Sequence, residues 1–265
     1  MANANPLPVN PYPPGKPPQP SSNSTTIVVF ILAILGGVLL LVIGCVVAIV
    51  FAMSAALAPA VSSARDAARN AESMNNLKRI GVAIHNYHDT YRQLPPAYLT
   101  VNEREPALSW RVSILPHLEQ AALFDRIDKS KRWNELPNGQ YNSQAIEDYH
   151  SPLDPATATD TSYVGIVGPS AAFSADSVQT IAKIRDGTSN TICVIELQNS
   201  EINWMEPRDL TIDEAVAAIK NSPNKKVNVL MLDGSVKPLD HGLISPGELR
   251  GMMTIDGGEQ PPSGF

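Results

Sequence analysis

From Thr26 to Ala60 the chain carries no charged residue, and its centre, IVVFILAILGGVLLLVIGCVVAIVF over 27–51, is almost purely aliphatic. A membrane-crossing helix needs about 20 apolar residues to span a hydrocarbon core of about 30 Å. This run meets that need with room for tilt. Beyond it the apolar positions become periodic: Val61, Ala64, Ala68, Ala71, Met74, Leu77, Ile80, Ile84, Tyr87 and Tyr91 recur every three or four residues. Arg65, Asp66, Arg69, Glu72, Lys78 and Arg79 lie between them. That period predicts an amphipathic helix. The whole stretch reads as one long helix: a transmembrane part over 26–52, then a membrane-proximal part over 53–91 with one apolar stripe. The stripe in turn predicts that the rest of the chain packs on it.

Pro95-Pro96 ends the helical pattern, because the residue before a proline is steered away from helical geometry. A second helix is expected over 110–127, interrupted at Pro116. Loops dominate to about residue 160. Short apolar runs at 162–167 (SYVGIV) and 191–196 (TICVIE) predict strands, with Asp186-Gly187 turning the chain before the second. Thr211 and Glu214 form a capping-box pattern that opens a helix over 211–219. Residues 227–232 and 235–239 read as a β-hairpin with Asp233-Gly234 as a two-residue turn. Ser245-Pro246 starts a last short helix. The expected organisation is therefore a tail (1–25), the two helix parts, a globular α+β domain (92–253) and a flexible C-terminal tail (254–265).

Composition sharpens the two ends. Residues 1–25 are rich in Pro, Asn and Ser with a single charge, Lys16. Such a segment cannot bury enough to fold and is expected to be disordered with polyproline II character. It reads either as a solvated tail or as a docking site for a proline-recognising domain. Setting Lys16 aside leaves 19 basic against 26 acidic residues, a formal charge of −7. An acidic domain is a poor nucleic-acid binder, since phosphate contacts need clustered Lys and Arg. Ala58-Pro59-Ala60 resembles a signal-peptide cleavage site. The apolar run is longer than the usual ~7–15 residues and its leading flank is not basic, which favours a retained anchor. Arg65 and Arg69 follow the span closely, so the Lys and Arg count alone leans against an exported domain.

Gly44, Ala48, Ala52, Ala56, Ala60, Ala64 and Ala68 form a ladder of small residues at every fourth position. Such spacing lets helix backbones approach in a bilayer, so self-association through Gly44, Ala48, Ala52 and Ala56 is one reading. Plain helix propensity of Ala is the other.

No constellation declares a chemistry. His85, His88 and Asp89 could place two imidazoles on one helix face, but no Cys or third His stands nearby in sequence. Asp186-Gly187-Thr188-Ser189-Asn190 is rich in side chains that bond to nearby backbone, as a turn or as a ligand loop. Trp110, Trp133 and Trp204 could stack on a sugar or fill a core. Cys45 lies in the apolar run and Cys193 in a strand, so they are not expected to pair. There is no Gly-x-Ser-x-Gly elbow, phosphate loop or zinc spacing. Catalytic, cofactor-binding and metal residues are accordingly none, no cofactor is expected, and the protein is not expected to be an enzyme.

Several blocks nevertheless resemble a known family: AVSSARDAARNAESMNNLKRIGVAIHNYHDTYRQLPPAY, SWRVSILPHLEQAALFDRIDKSKRW, SYVGIVG, IRDGTSNTICVIE, Trp204 with Pro207 and Asp209, VNVLMLDGSVK and LRGMMTIDGGE. In this order they resemble a large bacterial family abundant in planctomycetes. It is catalogued as domain of unknown function 1559 (DUF1559), also labelled solute-binding protein family 10. The resemblance runs over about residues 59–259. Members often begin like type IV prepilins, so it implies a single transmembrane helix continuing into a long amphipathic helix packed on a pseudopilin-like, mainly antiparallel β-sheet domain. The chain departs from the family in three places. The prepilin start of the type Gly-Phe-Thr-Leu-x-Glu is absent. A His is expected ten residues before the Asp of the Asp-Gly pair, but Pro223 stands ten before Asp233. The family's Cys pair aligns with Met74 and Ser151, which the resemblance implies are neighbours. The expected function is a membrane-anchored, single-pass, pseudopilin-like envelope protein with an exported C-terminal domain, structural or assembly in role. The alternative is a membrane-tethered solute- or glycan-binding module. The lipid bilayer is the expected partner, and the ligand is unknown.

Overall fold

The computed structural model describes residues 15, 23–102, 105–155 and 159–258. Most of the tail expected over 1–25 and the end of the chain from residue 259 lie outside the described residues. The chain divides into two compact units, Met1–Ser62 and Ser63–Phe265.

One helix, α1, runs from Asn23 to Tyr91 with Pro59 inside it. In the first unit its apolar residues from Ile27 to Met53 are exposed, both of these at 58%. In the second unit its buried positions are Ser73, Leu77, Ile80, Gly81, Ala83, Ile84 and Tyr87, following the three- and four-residue helical repeat. The stripe expected from Val61 is thus shorter than its pattern. Val61, Ala64, Ala68 and Ala71 remain exposed, as does Tyr91 at 54%. Alanine offers little area to bury, and the part that packs starts where Leu and Ile enter the stripe.

After α1 come a short antiparallel hairpin, β1 (Tyr98–Val101) and β2 (Glu105–Ser109), then α2 (Trp110–Ile114), a 3₁₀ turn over Leu115–Leu118 and α3 (Ala121–Arg126). Pro116 splits the expected 110–127 helix, as its missing N–H requires. The hairpin falls in a stretch for which the sequence pattern predicted no element. The main sheet is built from β3 (Tyr163–Val167), β4 (Ile192–Glu196), β5 (Leu210–Thr211), β6 (Lys226–Met231) and β7 (Val236–Asp240) in the order β5-β3-β4-β6-β7. Only the β3–β5 pairing is parallel, so the sheet is mainly antiparallel. The class is α+β, as expected. Two capped helices complete it: α4 (Ile212–Lys220) with the Thr211–Glu214 capping box, and α5 (Pro246–Gly251) with a Ser245–Glu248 box.

Strand alternation gives each sheet face its own core. Tyr163, Val194 and Leu230 meet Leu77, Ile80 and Ile84 of α1, together with Trp110 and Phe173. Val164, Ile166, Ile195 and Val229 meet Ala215, Val216 and Ile219 of α4 and Leu249 beyond it. A register shift between Ile192 and Val194 turns both Cys193 and Val194 toward α1. The strands are buried on both faces, which is why 191–196 reads as a continuous apolar run.

Two close contacts fix this arrangement. A Cβ added at Gly81 of α1 would stand 2.9 Å from Leu230 Cδ1 and 3.2 Å from the Gly234 Cα. The helix backbone lies directly on the β6–β7 hairpin. That hairpin differs from the expected two-residue turn. Gly234 N–H donates to Met231 O and Met231 N–H to Ser235 O, with Gly234 at φ +83°, so Leu232, Asp233 and Gly234 form a three-residue loop. Leu232 is drawn inward: it is 1% exposed and its N–H bonds to Thr191 O. The folded chain also extends past the expected boundary at 253. Ile255 is 7% exposed, and its carbonyl accepts from Arg185 N–H.

A buried ion pair ties α2 to β3. Arg111 and Asp209 have side-chain exposures of 0% and 2%, with Arg111 Nη2 2.6 Å from Asp209 Oδ1. Arg111 Nε and Nη2 also donate to Tyr163 O, Nη1 donates to Ser109 Oγ, and Gly165 N–H donates to Asp209 Oδ1. The guanidinium carbon lies 4.9 Å from the Trp110 ring centroid. Burial pushes the Asp209 carboxyl up, and the Arg111 guanidinium offsets only part of that rise. Such a pair adds little over a well-packed apolar substitute, but breaking it strands a charge.

Two outcomes follow from this packing. Gly81→Leu should overpack the helix–hairpin contact and cost about 1–3 kcal/mol in denaturant unfolding. Asp209→Ala should cost about 3–5 kcal/mol by leaving Arg111 buried and uncompensated.

Candidate functional site

β4 ends in a carboxylate, Glu196, on the sheet face that carries α1. Its residue exposure is only 9%. Oε1 accepts from Ser73 Oγ of α1 at 2.7 Å and from Ser151 Oγ at 2.5 Å. Oε2 accepts from Asn228 Nδ2 of β6 at 2.7 Å, and the same Nδ2 donates to Asn70 Oδ1 of α1 at 2.9 Å. Tyr163 OH shares a 3.0 Å hydrogen bond with Ser73 Oγ. Burial raises the Tyr163 hydroxyl, and the neighbouring Glu196 charge raises it further. No ion pair to Glu196 occurs among the described residues. Its charge is carried by neutral donors, in charge-assisted bonds stronger than neutral ones. Ser73 and Ser151 are both 0% exposed, so these hydroxyls orient the carboxylate and cannot meet a substrate.

Beside this cluster lies a cleft of about 510 Å³ where β4 ends and β6 begins. Asn70, Glu196, Gln198, Asn221, Asn224 and Asn228 give it polar walls, and Leu153, Ile219 and Val227 give it apolar ones. None of its described lining residues is aromatic.

The residues singled out by sequence fall elsewhere. Trp110 and Trp204 are core residues, 0% and 1% exposed, Trp110 stacking on Phe173 at 4.8 Å and Trp204 on Tyr149 at 6.2 Å. Trp133 is partly buried against the same core. The His85 ring packs beside Gly234, and its Nε2 is buried without a hydrogen-bond partner. His88 Nδ1 lies 3.8 Å from Asp89 Oδ1. Among the described residues no group of three His, Cys, Asp or Glu side chains converges as metal ligands would. Residues 186–190 form a structural turn. Asp186 accepts from the N–H groups of Gly257 and Gly258, Asn190 Nδ2 donates to Asp186 O, and Thr188 O accepts from Asp233 N–H. Cys45 and Cys193 are free, one exposed and one buried, and burial raises the Cys193 thiol.

Gly44, Ala48 and Ala52 lie on exposed turns of α1, and a Cβ at Gly44 would meet nothing within 4 Å. The Ala56 side chain is outside the described residues.

The expected Met74–Ser151 neighbourhood shifts by one residue. Ser73 shares the Glu196 oxygen with Ser151, while Met74 is half-buried with its sulfur 3.8 Å from Asn70 Nδ2. One step along a helix rotates a side chain by about 100°, which takes Met74 off the sheet-facing stripe.

The class that emerges is an α+β protein whose long helix is apolar at one end and part of a sheet core at the other. Residues 62–172, less than half of the chain, match the family model described as protein of unknown function (DUF1559). The matched segment holds Ser73, Ser151, Tyr163 and the α1 face that meets the sheet. No curated protein and no solved structure matches the chain.

Because Ser73 and Ser151 meet on one oxygen, Ser73→Cys with Ser151→Cys should form an intrachain disulfide under oxidising conditions. Non-reducing electrophoresis and thiol counting check this. Met74→Cys with Ser151→Cys should bridge far more slowly, since a bridge needs Cα atoms roughly 4.4–6.8 Å apart and Cβ vectors that converge. Closing so long a loop is worth about 4 kcal/mol in the chain-entropy model, offset here by two lost donors to Glu196.

Proposed function

We propose that this is a membrane-anchored, single-pass, pseudopilin-like envelope protein whose exported domain has a structural or assembly role rather than an enzymatic one. The observation that carries the reading is the helix Thr25–Ser54, 30 residues with mean hydropathy 3.2 and none of its apolar window buried. Exposing such a surface to water is strongly unfavourable, and a bilayer removes it. A cleaved signal sequence would satisfy the same measure. Against that, the run belongs to the same helix, α1, that supplies Leu77, Ile80 and Ile84 to the core. A long helix ending on a mainly antiparallel sheet also supports the pseudopilin-like part of the reading. Self-association through Gly44, Ala48, Ala52 and Ala56 would then add helix–helix contacts inside the bilayer. The negative charge argues against nucleic acid as a partner. The cleft beside Glu196 favours a second reading, a membrane-tethered solute- or glycan-binding module.

The anchor is tested by alkaline extraction of membranes with mass spectrometry of the retained chain. The expected result is a membrane-retained protein with peptides that include Lys16. A soluble product beginning at Val61 would contradict it. Protease added to intact spheroplasts should digest residues beyond 92 if the domain is exported. Ala48→Leu with Ala52→Leu should weaken association in a membrane reporter assay, and unchanged association would reduce the ladder to helix propensity.

A further inference from the structure

The chemistry of the cleft beside Glu196 narrows what it can hold. Its walls place six carboxamides, those of Asn70, Gln198, Asn199, Asn221, Asn224 and Asn228, around one carboxylate. A carboxamide offers two donors and an acceptor oxygen, and an ionised carboxylate offers only acceptors. Together they match a ligand whose every polar group is both donor and acceptor, which is the property of a hydroxyl. Among the described lining residues, Glu196 and Lys226 are the charged ones, one of each sign. That balance gives no cluster of cations for a phosphate or sulfate, and Glu196 repels an anion at close range.

The carboxylate is also set before any ligand arrives. Ser73, Ser151 and Asn228 fix it, and Asn228 is itself 5% exposed and held to Asn70. Groups already ordered cost less entropy on binding. Asn228 is the one described donor to Glu196 Oε2, which leaves that oxygen room to accept another. Leu153, Ile219 and Val227 supply apolar surface for carbon-bound hydrogens. The cleft volume of about 510 Å³ lies within the range of about 300–1,000 Å³ usual for small-ligand sites.

We propose that this cleft binds an uncharged saccharide. Glu196 and Asn228 take adjacent hydroxyls, and Asn221 and Asn224 close on it from the rim. This deepens the tethered-binding reading above and rests on it. With no aromatic ring among the described lining residues, none of them offers stacking, and affinity near Kd 1 mM, about 4 kcal/mol, is the expected scale.

The test uses the full chain in lipid nanodiscs, which avoids sugar-headed detergents. Cellobiose, N,N′-diacetylchitobiose and mannobiose are titrated by saturation-transfer NMR, with inorganic phosphate as the anion probe. The proposal expects saturable binding of at least one disaccharide and none of phosphate. Asn221→Ala with Asn224→Ala, both exposed and with no side-chain hydrogen bond among the described residues, should weaken it at least tenfold with an unchanged melting curve. Glu196→Gln should also weaken binding at least tenfold, and the rim variant decides the matter if Glu196→Gln fails to fold. No saturable signal from any of the three, binding indifferent to the rim variant, or phosphate binding in their place would overturn the proposal. Loss of membrane retention in the extraction assay would sink the anchor while leaving this titration interpretable.

Discussion

The structure depends on the seating of α1 on the sheet between Ser73 and Tyr87. Apolar burial drives it through Leu77, Ile80 and Ile84. The same face must also satisfy a charge. Glu196 ends an otherwise apolar strand, and Ser73 of α1 is one of its donors. Removing the helix would expose the apolar face and leave the carboxylate short of a partner. The two effects act on the same few helical turns, so the register of α1 on the sheet is specified twice. Gly81 specifies it a third time, because no larger residue fits against Leu230 and Gly234 without displacement.

A separate polar network holds the other end of this layer. Arg111 fills its hydrogen-bonding capacity from Asp209, Tyr163 O and Ser109, while stacking beside Trp110. The pair adds specificity more than net stability, by fixing α2 to β3. Both networks touch Tyr163: its carbonyl accepts from Arg111 and its hydroxyl meets Ser73. β3 is therefore the strand through which the helix α1 and the α2 region are held to one sheet.

Much of the fold was legible because its signals are local. The capping boxes at Thr211 and Ser245, the break at Pro116 and the apolar runs of β3, β4 and β6 are all written within a few residues. The β1–β2 hairpin was not legible: Glu105 and Pro106 interrupt any alternation, and a register shift lies between Leu99 and Thr100. The cleft was less legible still. In sequence Glu196 is only the last residue of TICVIE, and Asn228 one residue within VNVLML. Their pairing with Asn70, Ser73 and Ser151 joins positions far apart in sequence, which no local pattern encodes. The residues that did stand out, the tryptophans and the His85–Asp89 stretch, did so by rarity of type, and burial explains Trp110 and Trp204 without a ligand.

If α1 is a core element of the domain and not merely its tether, its amides between Leu77 and Ile84 must open only when the whole domain unfolds. Native-state hydrogen exchange on the full chain measures this directly. The account predicts that these amides exchange with the same opening free energy as those of Val194 in β4 and Leu230 in β6. Exchange of the Leu77–Ile84 amides through a smaller, local opening, with the sheet still protected, would contradict it.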